Sequence, residues 1–527
     1  MILINSSPRN ALGIFQPFLP ITPPIGLGFL AAAAERESVP VTIIDEQIER
    51  DVLGLIAKTV PSEPQPLFFG FSVLTASLDQ AVILSAEVKK RYPGSTICFG
   101  GAHPTAMPDE ILSFPHIDYV IRGEAEKPLV DLYRALQEHR DVRDIENLAY
   151  CRDGQVCINP ISYVVADMDA MPGFPYERFL GQPYDIGIVL SSRGCPYKCI
   201  FCSNQIATGK RYRFRNPVSV VDDLEFVYRT AGVTDVGFFD DNFLVNRHRV
   251  LEILAEIRKR DLHESMTFSF QARGDNVDRE LLKELYESGF HHVFFGLETA
   301  SNRLLQVLDK GETVEQCIQA VRWAKELNYR VSGTFIYAIP GETHRDRMDT
   351  LRLSKDLKLD MVRYNNATPY PGTPLYRMAK KDNGLVVQGR YTNFISVSTF
   401  IENPFRKIPF SYVPPGSTEK EIRYDILASY LAFYLNFRRL KGTFAGQKNG
   451  PRWFHVGETV KTFLRKVPSL AYIGLIMTIK YADMFFAILF RRGVPLTTGE
   501  LLSIVFRPQK HPPKSGPTSS DTPRDGT

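Results

Sequence analysis

Cysteine is scarce in this chain, with 7 residues among 527, and nowhere does it reach the dense, regular spacing of a disulfide scaffold. The N-terminal sequence Met-Ile-Leu-Ile-Asn-Ser-Ser-Pro lacks the basic region and the long apolar stretch of a secretion signal. These absences disfavour a disulfide-stabilised secreted protein. We therefore expect a protein of the reducing cytoplasm.

An excess of one sign of charge is also missing. Lys and Arg number 63 against 59 Asp and Glu, a formal net charge of +4, which is too small to indicate a nucleic-acid partner. The sequence contains no internal repeat, and its 44% hydrophobic and 23% charged fractions are ordinary for a globular protein. The length allows two or three domains with full-sized cores.

Residues 1–150 alternate short apolar runs with helical segments, a pattern typical of a doubly wound α/β domain with a parallel sheet. Helices are predicted over Ile25–Arg36 and Leu78–Tyr92. Glycines stand where the strands end, at the edge where such sheets bind ligands. The predicted strands are Met1–Asn5, Val41–Asp45, Leu67–Ser72, Thr96–Gly100 and Tyr119–Arg122.

Residues 151–183 are predicted to be a connector, because Asp-Gly, Asn-Pro and Met-Pro-Gly interrupt any regular pattern there. A second alternation covers residues 184–380 and predicts a partial (β/α)6 barrel, whose strand ends would face one active site. Its predicted strands are Ile186–Leu190, Val236–Phe239, Thr267–Phe270, His292–Leu297, Val331–Ile339 and Met361–Ala367.

The C-terminal part of the chain has a different pattern. Residues 381–507 are predicted to be mostly helical, and a helix over Ser417–Leu440 begins with a capping box of Thr418 and Glu421. Residues 508–527 are rich in Pro, Ser and Thr and are predicted to be disordered.

Within this helical part, the apolar segment Ser469–Phe490 is long enough to span a bilayer. Lys480 and Asp483 lie near its middle, where charges are costly in a membrane. Basic residues flank both ends, and cations favour anionic headgroups. The segment therefore predicts a helix on a membrane surface, with a core helix of the protein as the alternative.

Three cysteines stand close together in Ser-Ser-Arg-Gly-Cys-Pro-Tyr-Lys-Cys-Ile-Phe-Cys, at Cys195, Cys199 and Cys202. Three thiolates on one loop can hold three irons of a [4Fe–4S] cluster and leave the fourth iron open to a small molecule. A structural zinc site needs four ligands, commonly from two Cys-x2-Cys pairs, and the other four cysteines supply no second pair. Zinc and unligated core cysteines are the alternatives to a cluster.

This C-x3-C-x2-C spacing, with Phe201 directly before the last cysteine, resembles the signature of the radical S-adenosylmethionine (SAM) superfamily. The resemblance implies that the open iron binds the methionine end of SAM. It also implies that an electron from the cluster cleaves SAM to a 5′-deoxyadenosyl radical, and that an external donor such as flavodoxin or ferredoxin supplies the electron. Phe201 then belongs to the SAM site.

Motifs at the following strand ends resemble those of the same superfamily. The resemblance implies that Asp240 and Asp241 position the methionine amine of SAM and that Arg273 holds its carboxylate. Gln271 would contact the ribose, and Glu298 would accept hydrogen bonds from the ribose or the amine. Each has a plainer interpretation, since a strand-end Asp-Asp often caps a helix and a lone Glu is usually solvated or paired.

The N-terminal domain resembles the cobalamin-binding domain that is fused to many radical SAM enzymes. The matching motifs are Pro-Pro-Ile-Gly-Leu-Gly from Pro23, Gly-Phe-Ser-Val-Leu-Thr from Gly70, Gly-Gly-Ala-His-Pro-Thr from Gly100 and the run Ile117–Glu124. The alternative is a sheet domain that has lost cobalamin or binds another nucleotide. The residues that the resemblance assigns to cobalamin are Ser72, Thr75, Gly100, Gly101, His103, Gly123 and Glu124.

One motif of some cobalamin domains is missing. Asp-x-His-x-x-Gly, which supplies a histidine to the lower face of the corrin, does not occur, and Asp261-Leu262-His263 has no glycine at the required place. The cobalt is therefore expected to lack a protein histidine on that face. His103 is open to two interpretations, a ligand or a loop residue near the cofactor tail.

Together the two resemblances imply a methyltransferase that acts on an unactivated carbon. The layout and the apolar C-terminal region resemble the hopanoid C-2 methylases, which implies an apolar substrate, a lipid, and a site on the cytoplasmic membrane surface. The tetrapyrrole-modifying cyclases and bacteriochlorophyll methylases are the second interpretation. A non-catalytic iron–sulfur or cobalamin sensor is the third.

Overall fold

Two parallel sheets, each layered with helices, and a helical C-terminal region make up the protein, as the sequence predicts. The computed structural model describes residues 1–7, 20–60, 67–396, 408–434 and 460–506, with side chains in the last range from Val467 onward. The predicted disordered tail and the predicted helix beyond Tyr434 lie outside these residues.

The described elements follow the chain in this order. The strands are β1 (Ile2–Asn5), β2 (Thr42–Asp45), β3 (Phe68–Ser72), β4 (Thr96–Gly100), β5 (Tyr119–Ile121), β6 (Leu148–Arg152), β7 (Gln155–Ile158), β8 (Ile188–Val189), β9 (Ser192–Arg193), β10 (Arg213–Phe214), β11 (Asp235–Phe238), β12 (Thr267–Ala272), β13 (Phe290–Glu298), β14 (Arg330–Tyr337) and β15 (Met361–Asn366). The helices are α1 (Ile25–Arg36), α2 (Val52–Thr59), α3 (Leu78–Arg91), α4 (Ala102–Ala106), α5 (Pro108–Leu112), α6 (Glu126–Gln137), α7 (Asn204–Ala207), α8 (Pro217–Ala231), α9 (Arg247–Lys259), α10 (Leu262–Ser265), α11 (Arg279–Glu287), α12 (Asn302–Val307), α13 (Val314–Glu326), α14 (His344–Asp356), α15 (Pro374–Lys381), α16 (Glu419–Tyr434), α17 (Val460–Leu489) and α18 (Thr498–Phe506).

The first sheet has the strand order β2-β1-β3-β4-β5-β6-β7, and its first five strands are parallel. Apolar runs form these strands because helices cover both faces of the sheet and leave little room for polar side chains. Phe69, Phe71 and Phe99 are almost completely buried in this way. The five strands predicted from the apolar runs agree with the structure to within a residue at each end.

The predicted connector begins too early. Asp153 and Gly154, which were interpreted as a break, form the turn of an antiparallel hairpin between β6 and β7. Both have positive φ angles, 51° and 75°, as a tight two-residue hairpin turn requires. The sheet therefore continues to Ile158, because an Asp-Gly pair marks a turn without saying whether strands flank it.

The second sheet is the predicted partial barrel, with six parallel strands in the order β15-β14-β13-β12-β11-β8. Alternate residues of each strand point outward and pack against helices; on β15 these are Val362 and Tyr364. Arg363 and Asn365 then face the barrel interior. This alternation assigns every second strand residue to the inner wall.

The C-terminal helix α16 is joined to the barrel by buried charges. Arg347 of α14 is fully buried; its Nε donates to Asp425 of α16 at 2.6 Å, and its guanidinium also pairs with Glu342 and Glu421. His344 Nδ1 lies 2.9 Å from the same Asp425. Removing one charge from such a cluster leaves the others buried without compensation.

We predict that Arg347→Gln lowers the free energy of unfolding by about 3–5 kcal/mol, because its carboxylate partners remain buried. Urea unfolding of the anaerobic protein, followed by fluorescence, measures the change. Arg345→Gln on the same helix is the matched control, since the Arg345 side chain is 91% exposed and its ion pair with Asp349 is long, at 3.9 Å. Equal unfolding midpoints for the two variants would contradict the prediction.

Candidate active site

The three clustered cysteines lie on the loop between β9 and α7, at the carboxyl end of the first barrel strand. Cys195, Cys199 and Cys202 are all free thiols, and Cys199 is the most buried. The loop is held by backbone hydrogen bonds from Cys202 N to Cys199 O, 3.1 Å, and from Ile200 N to Leu308 O, 3.0 Å. Gly194 precedes it with a φ of 84°, a conformation that favours glycine.

Two cations lie beside this loop. Nη1 of Arg273 is 3.8 Å from Sγ of Cys199, and Lys310 acts on the same thiol through its charge. Burial raises the pKa of Cys199, whereas Lys310 and Arg273 lower it, so the cations favour the thiolate that binds iron. A group of three soft sulfur ligands next to positive charge fits an iron–sulfur cluster. Among the described residues, no three His, Cys, Asp or Glu side chains converge on a single metal ion.

Arg273 has protein partners that the sequence did not predict. Its Nε and Nη2 each donate to Asp275 at 2.8 Å, and Nη2 also donates to the carbonyl of Lys310 at 2.6 Å. The guanidinium also stacks on the ring of Tyr197, 3.6 Å from its centroid. Arg273 is thus held against the cysteine loop, with only Nη1 directed toward the sulfur.

Glu298, at the end of β13, is likewise part of a buried network. Its Oε1 accepts from Lys310 Nζ at 2.6 Å, and Lys310 lies 3.5 Å from Glu312. Burial lowers the pKa of Lys310, but the two carboxylates raise it further, so the ammonium stays charged. Glu298 adopts a φ of 59°, which is unusual for a residue with a side chain and marks a strand end held by its surroundings.

The predicted pair Asp240 and Asp241 splits into two environments. Asp240 is buried, and its carboxylate accepts hydrogen bonds from Ser191 N at 3.0 Å, Ser191 Oγ at 2.7 Å and Ser192 Oγ at 2.6 Å. Asp240 therefore stabilises the β8–β9 turn. Because both of its carboxylate oxygens are already hydrogen-bonded, it is a poor candidate for the expected contact with SAM. Asp241 accepts from Gly194 N at 3.0 Å and faces open space beside the loop. The carboxylate suited to an ammonium group is therefore Asp241.

The inner wall of the barrel carries the other predicted SAM contact. Gln271 is exposed toward the interior at the end of β12, where a ligand can reach it. Phe239, 44% exposed and directly after β11, and Phe294 on β13 present aromatic rings on either side of β12. Phe201 is half-buried and packs against the barrel core. Between these rings the wall also carries polar groups, among them Arg363 and a His292–Ser332 pair whose Nε2 and Oγ lie 2.8 Å apart.

A cleft with about 1040 Å³ of empty space, including its open mouth, lies between the two domains. The first domain contributes the ends of its parallel strands, and the second contributes the segment before the cysteines. Of the residues predicted to bind cobalamin, five line this cleft: Ser72, Gly100, Gly101, Gly123 and Glu124. The cleft lies where open α/β sheets bind ligands, at the carboxyl ends of the strands.

Glycine forms the floor of this cleft. Gly101 has a φ of 103°, and a Cβ atom there would lie 2.8 Å from the carbonyl oxygen of Val73. A side chain there would clash with this carbonyl, so the close approach of the chain after β4 to Val73 requires glycine. An apolar cleft with a glycine floor fits a corrin, and Ser72 adds a hydroxyl at its edge.

Thr75 and His103, which the sequence also assigned to cobalamin, do not line the cleft. His103 is fully buried against the ring of Tyr391, and its Nδ1 lies 3.3 Å from Thr75 Oγ1. Burial lowers the pKa of His103 to about 4, so the ring is neutral at pH 7. Tyr391 comes from a distant part of the chain, so no local pattern indicates this packing.

Glu124 lines the cleft, but ion pairs occupy its carboxylate. It lies 2.6 Å from Arg213 and 3.3 Å from Arg193, and its Oε2 also accepts from Val165 N. Glu126 completes the group with a 2.6 Å contact to Arg193. Sequence analysis missed Arg193, although its place directly before Gly194 and the cysteines was a signal.

The fold and the site together define a class of enzyme. The Radical SAM superfamily matches residues 189–354, and the B12 binding domain matches residues 13–133. These matches cover the partial barrel up to β14, with its cysteine loop, and strands β2 to β5 of the first sheet. The class is that of cobalamin-binding radical SAM enzymes.

The chain belongs to this family of the radical SAM superfamily, and it is a methyltransferase with a [4Fe–4S] cluster, SAM and cobalamin as cofactors. An uncharacterized methyltransferase of Pyrococcus horikoshii is 31% identical over 421 residues, 78% of this chain and 88% of the relative. An anaerobic magnesium-protoporphyrin IX monomethyl ester cyclase of Cereibacter sphaeroides is 27% identical, over 71% of this chain and 60% of the relative.

A solved structure has the same fold. The radical SAM methyltransferase TsrM from Kitasatospora setae, with cobalamin and a [4Fe–4S] cluster bound, matches with a TM-score of 0.67 at 19% identity. The match covers 92% of this chain and 99% of TsrM. The helical C-terminal part is therefore largely included in the shared architecture.

We predict that replacing Cys195, Cys199 and Cys202 together with alanine abolishes cluster binding, because these three sulfurs are the predicted protein ligands of the cluster. Iron content after anaerobic reconstitution should fall from about four per chain to almost none. Cys151→Ala is the control, since this thiol is exposed and lies outside the site. A triple variant that keeps its iron and still cleaves SAM would refute the assignment.

Proposed function

We propose that the enzyme transfers a methyl group to an unactivated carbon of an apolar substrate, a hopanoid lipid at C-2. One observation carries this proposal: Arg193, just before the cysteine loop, and Ala207 and Thr208, just after it, line the glycine-floored cleft. Asp241 contacts the loop through Gly194 and also lines the cleft. A substrate between the two domains can therefore reach both.

Bound cobalamin supplies a methyl group, and the cluster with SAM supplies a radical that removes hydrogen from carbon. The chain's own residues hold and orient these groups. Cys195, Cys199 and Cys202 are proposed to bind the cluster, and Asp241 to pair with the methionine ammonium. Gly100 and Gly101 let the sheet edge approach the corrin closely.

The barrel interior supports an apolar substrate. Phe239, directly after β11, and Phe294 on β13 lie on its inner wall, and both are at least partly accessible. Apolar side chains that stay accessible around a polar reaction centre favour a substrate with a large apolar surface. A pentacyclic lipid meets this requirement.

A tetrapyrrole is the second candidate substrate, and one feature favours it. Arg363 is exposed on the inner wall of the barrel, on β15. An arginine here suits a carboxylate, which tetrapyrroles carry and hopanes lack. The relative from Cereibacter sphaeroides named as a protoporphyrin ester cyclase also supports it.

We predict that deletion of the gene removes a methyl group from the hopanoids of the organism, detected by mass spectrometry of total lipids. Complementation with the natural chain should restore the methylated species, and the Cys199→Ala chain should not. A deletion strain with unchanged lipids and altered tetrapyrroles would establish the second candidate instead. Unchanged lipids and unchanged pigments would contradict both.

We also propose that the enzyme works on the surface of the cytoplasmic membrane. Helix α17 is, among the described residues, the one helix long and apolar enough to cross a membrane. It packs through Ile476, Met484 and Ile488, while its other face remains exposed. The exposed apolar residues of that face are Val467, Leu470, Leu475, Ile479, Phe485, Phe486 and Leu489.

The charges of this helix support a surface position. Asp483 accepts a 2.6 Å hydrogen bond from Tyr424 of α16, so its carboxylate is tied to the protein. Arg491 and Arg492 follow the helix and suit anionic headgroups. Contact with lipid would cover the apolar face, which is worth about 25 cal/mol per Å² removed from water.

We predict that the protein floats with vesicles of phosphatidylcholine and phosphatidylglycerol, and that replacing Phe485, Phe486 and Leu489 with serine releases it. The expected cause is loss of apolar contact at unchanged charge. A control variant with serine at Ile83, Val218 and Leu251, which are also exposed, should still float. A natural chain that never floats would contradict the membrane proposal and leave the methyl-transfer proposal intact.

A further inference from the structure

Four charged side chains are buried where the two domains meet. Glu124 and Glu126 come from the turn between β5 and α6, and Arg193 and Arg213 come from the paired strands β9 and β10. Their side chains are between 3% and 9% exposed. Two positive and two negative charges balance, which is the condition for burying them together.

The contacts place Arg193 at the centre of this group. Its Nη1 donates to Glu126 Oε1 at 2.6 Å and lies 3.3 Å from Glu124 Oε1, while Arg213 takes the other oxygen of Glu124 at 2.6 Å. Arg213 also bonds the carbonyls of Val165 and Thr208. Arg213 is therefore fully engaged in holding the backbone.

Arg193 keeps donors for a ligand. Among the residues that the structure describes, every side-chain hydrogen bond of Arg193 uses Nη1, so Nε and Nη2 have no protein acceptor. The guanidinium lies 5.0 Å from the centroid of the Phe29 ring and lines the cleft between the domains. A planar cation with free N–H groups suits the amide carbonyls around a corrin ring.

The position of Arg193 in the chain links the cleft to the cysteine loop. Only Gly194 separates it from Cys195, and Gly194 N donates to Asp241, which lines the same cleft. Buried ion pairs require close, well-oriented contacts, so a shift of the β5–α6 turn must move Arg193 or break the pairs. The backbone then transmits the shift to the first cysteine.

We infer that Arg193 is a positioning residue that couples cobalamin in the cleft to the cluster on the cysteine loop. The inference rests on the proposed roles of the cleft and of the three cysteines. By linkage, cobalamin should bind more tightly when the cluster is present, and the reciprocal effect must hold for the cluster. The four-charge group is the physical connection between the two sites.

Hydroxocobalamin binding tests this coupling without any measurement of catalysis. The dissociation constant is measured by absorbance titration of the anaerobic protein with the cluster reconstituted, and again on protein without iron. The ratio of the two constants is the coupling factor. We expect a ratio of about tenfold for the natural chain, within the usual range of coupling between sites.

Arg193→Gln should bring this ratio close to one. Arg193→Lys keeps the positive charge but loses the planar set of guanidinium N–H donors, and it should give an intermediate ratio. If Arg193 had a purely structural role, its replacement would raise both dissociation constants by the same factor and leave their ratio unchanged. An Arg193→Gln protein with the natural ratio would therefore overturn the inference. A natural chain that binds no cobalamin would instead contradict the site assignment itself.

Two further variants control for charge and folding. Arg134→Gln removes an exposed arginine, paired with Glu37 on the first domain, and should keep the natural ratio.

Arg193→Gln leaves two buried carboxylates facing one arginine, which can prevent folding. The double variant Arg193→Gln with Glu126→Gln restores the charge balance, and its ratio should also be close to one. A folded double variant with the natural ratio would likewise overturn the inference.

Discussion

Buried ion pairs between the β5–α6 turn and the strands β9 and β10 are the interaction on which the rest of the structure depends. They hold the carboxyl ends of one parallel sheet against the segment that leads to the cysteine loop. Because carboxylates and guanidinium groups lose their hydration there, the pairs are stable only in one close arrangement. That arrangement holds Arg193, two residues before Cys195, in the lining of the cleft.

The same device recurs at the two other joints of the barrel. Lys310 is surrounded by Glu298 and Glu312 next to the cysteine loop, and Arg347 is surrounded by carboxylates where α16 meets the barrel. In each case a buried cation has several carboxylate partners; Arg347 thereby joins α14 to Asp425 of the distant helix α16, whereas the partners of Lys310 lie within twelve residues of it. Positive charge near the cysteines has a second effect, since it favours the thiolate form of Cys199.

Much of the fold was predictable because it depends on local patterns. Apolar runs of four to nine residues between helical segments indicate buried parallel strands, and the six barrel strands and five strands of the first sheet lie where these runs are. The hairpin of β6 and β7 was missed because its strands are partly exposed and the turn residues Asp153 and Gly154 are common in loops. Helix α6 was missed as well. Glu126, its first residue, pairs with Arg193 in the folded chain.

The sequence by itself determined the features that depend on short segments. These are the three closely spaced cysteines on one loop and the glycines at the ends of apolar strands. Spacing along a chain is enough there, because neighbouring residues stay neighbours after folding. The tertiary structure alone decided which polar groups face a ligand. Asp240 and Asp241 are adjacent, yet Asp240 turns inward to Ser191 and Ser192 while Asp241 faces the cleft. His103 is buried against the ring of Tyr391, and Arg273 donates two hydrogen bonds to Asp275. A buried polar group must find a partner, and that partner can come from any part of the chain, so its identity is a property of the folded whole.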